Sequence, residues 1–237
     1  MEIHVGCSGW FYWHWKKRFY PEDLPQSKWF NYYTSKFKTV ELNSTFYHFP
    51  KISTAKNWYR NSPKDFLYTL KVSKLITHIK KFKGSKKLIT DFYKVGEELK
   101  EKMGCFLFQL PPSLKFKEKK LDEIISQLDL EKRNVLEFRH ISWFTQDVYD
   151  VLKKNGVVFC VVSSPKLPED IVKTSDEIYI RFHGRHGWYA SNYNDDELRN
   201  WANNIRKFKP KRLWAYFNND FNANAPMNAL KLIEFLK

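Results

Sequence analysis

The stretch Ile178-Tyr-Ile-Arg-Phe-His183 alternates strictly. Ile178, Ile180 and Phe182 fall on one side of an extended chain, and Tyr179, Arg181 and His183 on the other. Thr39-Val-Glu-Leu-Asn43 repeats the pattern, with Thr39, Glu41 and Asn43 opposite Val40 and Leu42. So does the segment in which Val135, Glu137 and Arg139 alternate with Leu136 and Phe138. In each case the apolar side is suited to lie under helices while the other side turns polar towards its C-terminal end. Working outward, eight short apolar runs of strand length occupy residues 3–7, 39–42, 66–72, 105–110, 134–138, 157–162, 178–182 and 212–217. Between them lie segments of helical period, such as Leu88, Phe92, Val95 and Leu99, or Leu121, Ile124, Ile125 and Leu128. Residues 194–208 form another, with Asn194 as N-cap and Asp195, Asp196 and Glu197 in the first turn, where acids suit the helix dipole. Gly104 and Gly156 read as stops between a helix and the next strand.

Eight strand-then-helix repeats without a linker predict an α/β fold: a single (β/α)₈ TIM-type barrel of eight parallel strands spanning residues 1–237 as one domain. An open doubly wound sheet is the alternative, and it lacks the G-x-G-x-x-G or Walker motif that would follow a strand. Residues 167–174 and 45–55 are short or irregular, so one or two helices are expected to be reduced.

The 237 residues carry 41 Lys and Arg against 26 Asp and Glu, a net charge of +15, yet 20 Phe, 13 Tyr and 9 Trp supply enough bulk to bury and exclude a disordered chain. No apolar run reaches membrane-span length and no signal-peptide pattern opens the chain, so a cytoplasmic protein without a membrane partner is expected. Cys7, Cys105 and Cys160 are odd in number and sit in apolar runs, as buried free thiols do. Residues 71–120 hold 14 Lys and 5 acids, an excess that attracts polyanions or simply makes a solvated surface. Nothing in the sequence fixes an oligomeric state.

The polar strand ends define a candidate site, because barrels deliver catalytic groups from the C-terminal ends of several strands. The expected pocket is lined by Glu41, Asn43, Lys71, Gln109, Glu137, Arg139, Arg181, His183 and Asn218. Lys71, Arg139 and Arg181 would hold an anion while Glu41, Glu137 or His183 acts as acid or base. The same charges could instead pair for burial alone, Glu41 with Arg181 or Glu137 with Lys71. Residues 9–15, Gly-Trp-Phe-Tyr-Trp-His-Trp, read either as a stacking platform for a base or sugar or as an apolar plug. Trp143 and Trp188 could join the same rim. In His183-Gly184-Arg-His186 the glycine allows close backbone approach to a ligand. A divalent metal on Glu137, His183 and Asp220 is the cofactor alternative, but no local motif fixes its geometry.

The motifs Gly6-Cys-Ser-Gly-Trp10, Val40-Glu-Leu-Asn-Ser-Thr-Phe-Tyr47, Phe108-Gln-Leu-Pro-Pro112, Glu137-Phe-Arg-His140 with Ser142-Trp143, Arg181-Phe-His-Gly184, and Tyr216-Phe-Asn-Asn-Asp220 with Asn228-Ala229 resemble the YecE-like family, in order and over nearly the whole chain. The resemblance implies a single-domain TIM-type barrel and adds Ser8, Trp10, Tyr47, Gly184 and Asn219 to the substrate-binding set. Through a distant relationship to metal-dependent endonuclease-type barrels it also implies phosphate substrates. Glu137, His183 and Asp220 match such ligands best in type and strand position. The chain departs from the pattern at Ser163-Ser164-Pro165, where the family often carries an Asp. The resulting expectation is a hydrolase or lyase acting on a phosphate-containing substrate, nucleic acid among the candidates. One alternative is a non-catalytic binder of nucleic acid or a phosphate ligand; another is a sugar isomerase or hydrolase using paired carboxylates.

Overall fold

The computed structural model describes residues 1–237 and contains eight parallel strands: β1 (Glu2–Cys7), β2 (Thr39–Leu42), β3 (Leu67–Lys71), β4 (Met103–Gln109), β5 (Asn134–Glu137), β6 (Val158–Ser163), β7 (Glu177–Phe182) and β8 (Arg212–Phe217). Their order in the sheet is β1-β8-β7-β6-β5-β4-β3-β2, a nearly closed α/β barrel of the TIM type. The helices are α1 (Trp29–Lys36), α2 (Ser44–Tyr47), α3 (Ile52–Asn61), α4 (Lys86–Glu97), α5 (Glu118–Ile125), α6 (Gln146–Lys154), α7 (Asp195–Lys207) and α8 (Asn224–Leu236). The chain divides into two compact units, Met1–Glu41 with Val161–Lys237, and Leu42–Cys160.

Helix loss occurs at one of the two expected places. No helix joins β6 to β7, whereas the other irregular stretch resolves into the single turn α2, a break around Pro50, and α3. Gly104 does not stop a helix. It lies inside β4, because α4 ends at Glu97 and a 3-10 turn, Lys100–Lys102, leads straight into that strand. Asn194 caps α7 as its sequence implies, accepting from the Glu197 backbone at 2.9 Å while the Glu197 carboxylate accepts from the Asn194 N–H at 3.0 Å. All three cysteines are buried and free. No helix is long and apolar enough to cross a membrane.

In the first unit β1 and β2, the two ends of the strand order, meet through a side chain. The buried Tyr33 hydroxyl accepts from the Cys7 N–H at 2.9 Å and donates to the Thr39 carbonyl at 3.0 Å. One phenol therefore stands in for a ladder bond at this seam and satisfies two buried backbone groups. Gly6 is required beside it, since a Cβ there would stand 2.4 Å from the Thr39 carbonyl oxygen and 3.0 Å from the Tyr33 hydroxyl. Gly6→Ala is expected to destabilise the protein by about 1–3 kcal/mol, the usual cost of overpacking. A urea melt checks this, and an unchanged midpoint would mean the seam can open without loss.

In the second unit α4 buries Ile89, Phe92, Tyr93, Val95 and Gly96, and Tyr93 donates to Asn134 at 2.7 Å on β5. The buried Lys102 closes the C-terminal end of α3, donating to the carbonyls of Tyr59 at 2.7 Å and Ser62 at 2.8 Å. Both contacts anchor helices around the strands whose C-terminal ends carry Lys71, Gln109 and Glu137.

Candidate functional site

In the first unit Glu41, on β2, is fully buried and receives four hydrogen bonds. Ser8 Oγ donates to Oε1 at 2.7 Å, Arg181 donates to the same oxygen through Nη2 at 2.6 Å and Nε at 3.2 Å, and the Tyr179 hydroxyl donates to Oε2 at 2.6 Å. Because β2 and β7 are not neighbours in the sheet, these bonds cross the barrel interior. The Thr39 and Tyr216 hydroxyls, 2.7 Å apart, do the same between β2 and β8. Arg181 is likewise fully buried, so the pair is a desolvated ion pair with its hydrogen-bonding capacity largely filled.

Past the end of β7, His183 is fully buried; its Nδ1 lies 3.2 Å from Asn218 Nδ2, and the rings of Trp188 and Tyr189 stand 5.6 and 5.4 Å away. Gly184 has φ of +100°, and a Cβ there would meet the Gly187 carbonyl at 2.5 Å. Asn219 donates to the Ser191 carbonyl at 2.9 Å and to Asn228 at 2.8 Å. At Ser163, where the resemblance expects an acid, the hydroxyl donates to Glu169 at 2.7 Å, so a carboxylate reaches this place from the following loop. Asp220 accepts from the indole of buried Trp15 at 2.5 Å, and its other oxygen stands 2.8 Å from His14 Nε2. Burial pushes its carboxyl above the usual range, opposed by Trp15 and His14.

The second unit gathers Lys71, Gln109, Glu137 and Arg139 from the ends of β3, β4 and β5. Gln109 and Glu137 are paired across the β4–β5 ladder. Glu137 is fully buried and bonded to the Arg139 guanidinium, which is itself nearly buried. Lys71 is 9% exposed, its ammonium 4.3 Å from the centre of the Phe46 ring, and its carbonyl accepts from Thr45 at 2.6 Å. Asn43 and Tyr47 flank this region, Tyr47 being mostly exposed with the Lys74 ammonium 5.7 Å over its ring.

Among these groups stands a residue that the sequence reading passed over. His78, in the π-helical turn Leu75–Ile79, packs edge-on to Phe46 at 4.8 Å; its Nε2 lies 3.4 Å from Gln109 Nε2 and its Nδ1 2.9 Å from the Thr77 hydroxyl. Burial is the first cause that lowers its pKa, to about 4. Lys71 follows, with Arg139 and Lys81 acting the same way and Glu137 against them. The signal was present in outline: a single histidine seven residues beyond a strand-end lysine, in a turn whose wide π geometry often marks functional positions.

The pH consequence is direct. A histidine whose folded pKa lies near 4, against about 6.5 when unfolded, contributes stability that is complete above pH 6.5 and is lost as pH falls towards 4. Because the ring is only half-buried, solvent screening holds the total to about 1 kcal/mol. Stability measured across that window should fall less in His78→Gln than in the wild type, and equal slopes would contradict the assignment.

The aromatic run is split by burial. Trp15 is wholly buried, while Phe11 and Trp13 are exposed and lean on buried Trp29 with ring centres 5.2 and 5.4 Å apart. Trp10 packs against Phe30 at 4.8 Å, and its carbonyl accepts from Tyr20 at 2.5 Å. Trp143 does not join a rim: it is fully buried, stacked on Phe138 at 4.5 Å with its indole bonded to the Leu114 carbonyl, because the turn Ile141–Trp143 folds it inward. No three His, Cys, Asp or Glu side chains are grouped so as to hold a metal ion, and both oxygens of Asp220 are engaged by Trp15 and His14.

A family model described as "Protein of unknown function DUF72" matches residues 4–237. The chain belongs to the DUF72 family. The YecE-like resemblance in the motifs reaches the same family. The DUF72 chain is 26% identical to the UPF0759 protein YunF of Bacillus subtilis (strain 168), over 99% of this chain and 94% of that protein. Among solved structures it superimposes on a DUF72 family protein (TM1631) from Thermotoga maritima MSB8 with a TM-score of 0.91 at 30% identity, covering 100% of this chain and 99% of the other. A DUF72 family protein (EF0366) from Enterococcus faecalis V583 shares the fold, with a TM-score of 0.82 at 22% identity over 99% and 97% of the two chains.

Proposed function

We propose that the second unit of this DUF72 chain binds a small phosphate-bearing anion at Lys71 and Arg139, and that His78 exchanges a proton with it in a hydrolase- or lyase-type reaction. The observation that carries the reading is the setting of His78. A half-buried imidazole feels the cations Lys71, Arg139 and Lys81 and a single carboxylate, Glu137. That excess of positive charge in a partly desolvated place favours an anion. It also keeps the ring neutral at pH 7, ready to accept a proton. A bound phosphate would offset the cations and raise the imidazole pKa towards the working pH, so that binding itself tunes the base.

In this reading Glu137 orients Arg139 and limits the site's charge, and Glu41 serves the interior of the first unit alone. With Ser8, Tyr179 and Arg181 all donating to it, Glu41 has little capacity left to take a proton, which weighs against the sugar reading that pairs it with Glu137. Calorimetric titration with inorganic phosphate should give saturable one-site heat, and titration with glucose none. Saturation by glucose with no response to phosphate would reverse the choice.

Nucleic acid stands as a second reading because ten of the lysines between residues 71 and 120 are exposed. Binding to DNA or RNA through them should be weakly sequence-specific and should fall steeply between about 50 and 200 mM salt. No binding at the lower salt would remove this reading and leave the small anion.

A further inference from the structure

A cavity lies wholly within the first unit, apart from the groups just assigned to an anion. It measures about 540 Å³, within the range of small-ligand sites, and is walled by Trp188, Tyr189 and Phe221 with His14, Asp220 and Asn222. We propose that this cavity binds an organic cation, an ammonium group carried on an apolar or aromatic body.

Charge is the first argument. The chain has 41 Lys and Arg, yet none lines this cavity. Its one acidic side chain, Asp220, is held in place by the buried Trp15 indole at 2.5 Å and by His14 at 2.8 Å. Arg18 is not part of the lining, though it bonds the carbonyl of one lining residue, Asn222, at 3.3 Å. In a strongly basic protein a cavity lined by a carboxylate and by no lysine or arginine suits a cation better than an anion, His14 being the one basic group in its wall and already beside Asp220.

The walls are the second argument. Three of the lining side chains are aromatic, the residue type that recognises quaternary and methylated ammonium groups. Two of them remain largely in solvent, Tyr189 at 47% and Phe221 at 61% exposed, a disposition that burying a ligand would relieve.

Backbone strain is the third. Tyr189, Asn222 and Ala223 all adopt left-handed φ, at 66°, 58° and 59°, although none is glycine. Two of them line the cavity and the third adjoins it. The two loops are tied to each other where the Phe221 N–H donates to the Tyr189 carbonyl at 3.0 Å. Strain of this kind persists where surrounding structure enforces it, commonly at ligand clamps. Here it falls in the two loops that carry Tyr189 and Phe221, joined by that backbone hydrogen bond.

The probe is benzyltrimethylammonium chloride, followed by quenching of tryptophan fluorescence, with sodium benzenesulfonate as an anionic aromatic of similar size. Saturable quenching by the ammonium and none by the sulfonate is expected. Asp220→Asn, which retains an acceptor for Trp15, should weaken the ammonium at least tenfold, and Phe221→Ser, at an exposed position, should weaken it several-fold without affecting the fold. Lys71→Met should leave this binding unchanged, which separates the cavity from the anion site. No saturation at millimolar ammonium, equal response to the sulfonate, or undiminished binding in both Asp220→Asn and Phe221→Ser would overturn the proposal.

Discussion

Glu41→Gln is expected to lower stability by roughly 3–5 kcal/mol, because it leaves the fully buried Arg181 guanidinium without its counter-charge. For a chain of this size that corresponds to a fall in Tm of the order of 10 °C. The amide keeps the shape of the carboxylate, so the loss reports charge rather than a cavity. It also disturbs the hydrogen bonds from Ser8 and Tyr179, both of which must donate to a group that now has one acceptor oxygen. Glu41→Leu paired with Arg181→Met should recover much of the loss, since replacing a whole buried ion pair by apolar groups is often neutral. Thermal melts of the two variants and the wild type check the argument. A Glu41→Gln protein as stable as the wild type would show that this pair does not hold the barrel interior together.

Lys71→Met is expected to weaken phosphate binding roughly 10- to 100-fold, the loss that follows from one hydrogen bond to a charged group worth about 1.5–3 kcal/mol. Methionine loses the ammonium–ring contact at 4.3 Å but keeps an apolar chain of similar length beside Phe46, so the fold should hold. The same substitution removes the second-largest cause that lowers the His78 pKa, which should therefore rise from about 4 towards its ordinary value. Two readouts from one variant, calorimetric affinity and imidazole titration, should move together. Unchanged affinity with a raised imidazole pKa would place the anion elsewhere while leaving the electrostatics of His78 intact.

The barrel was legible in the sequence because its strands carry a period-two pattern that local reading can follow. Glu41 and Arg181 face inward where alternation puts them, and the helices of residues 194–207 and 86–97 follow from capping and spacing. The seam was not legible. Tyr33 lies on α1 and bonds backbone atoms of β1 and β2, and nothing local to residue 33 distinguishes this phenol from any other core tyrosine. His78 escaped for a related reason: its role depends on Lys71, Gln109 and Glu137 arriving from three strands, which a scan along one segment does not assemble. Trp143 misled in the opposite direction, because a tryptophan beyond a strand end looks like a rim residue until the turn Ile141–Trp143 is seen to fold it onto Phe138. The two readings of the aromatic loop could not be separated by sequence either, since burial differs between Trp13 and Trp15, two positions apart in one 3-10 turn.

The proposed anion site rests on His78 acting as a neutral base whose protonation would be governed by Lys71 and by the bound ligand. The most direct test follows the imidazole resonances of His78 by NMR against pH, with and without inorganic phosphate, in the wild type and in Lys71→Met. The account predicts titration near pH 4 in the free protein, an upward shift on adding phosphate, and a raised but phosphate-insensitive value in Lys71→Met. A His78 that titrates near 6.5 in the free wild-type protein and ignores phosphate would contradict it.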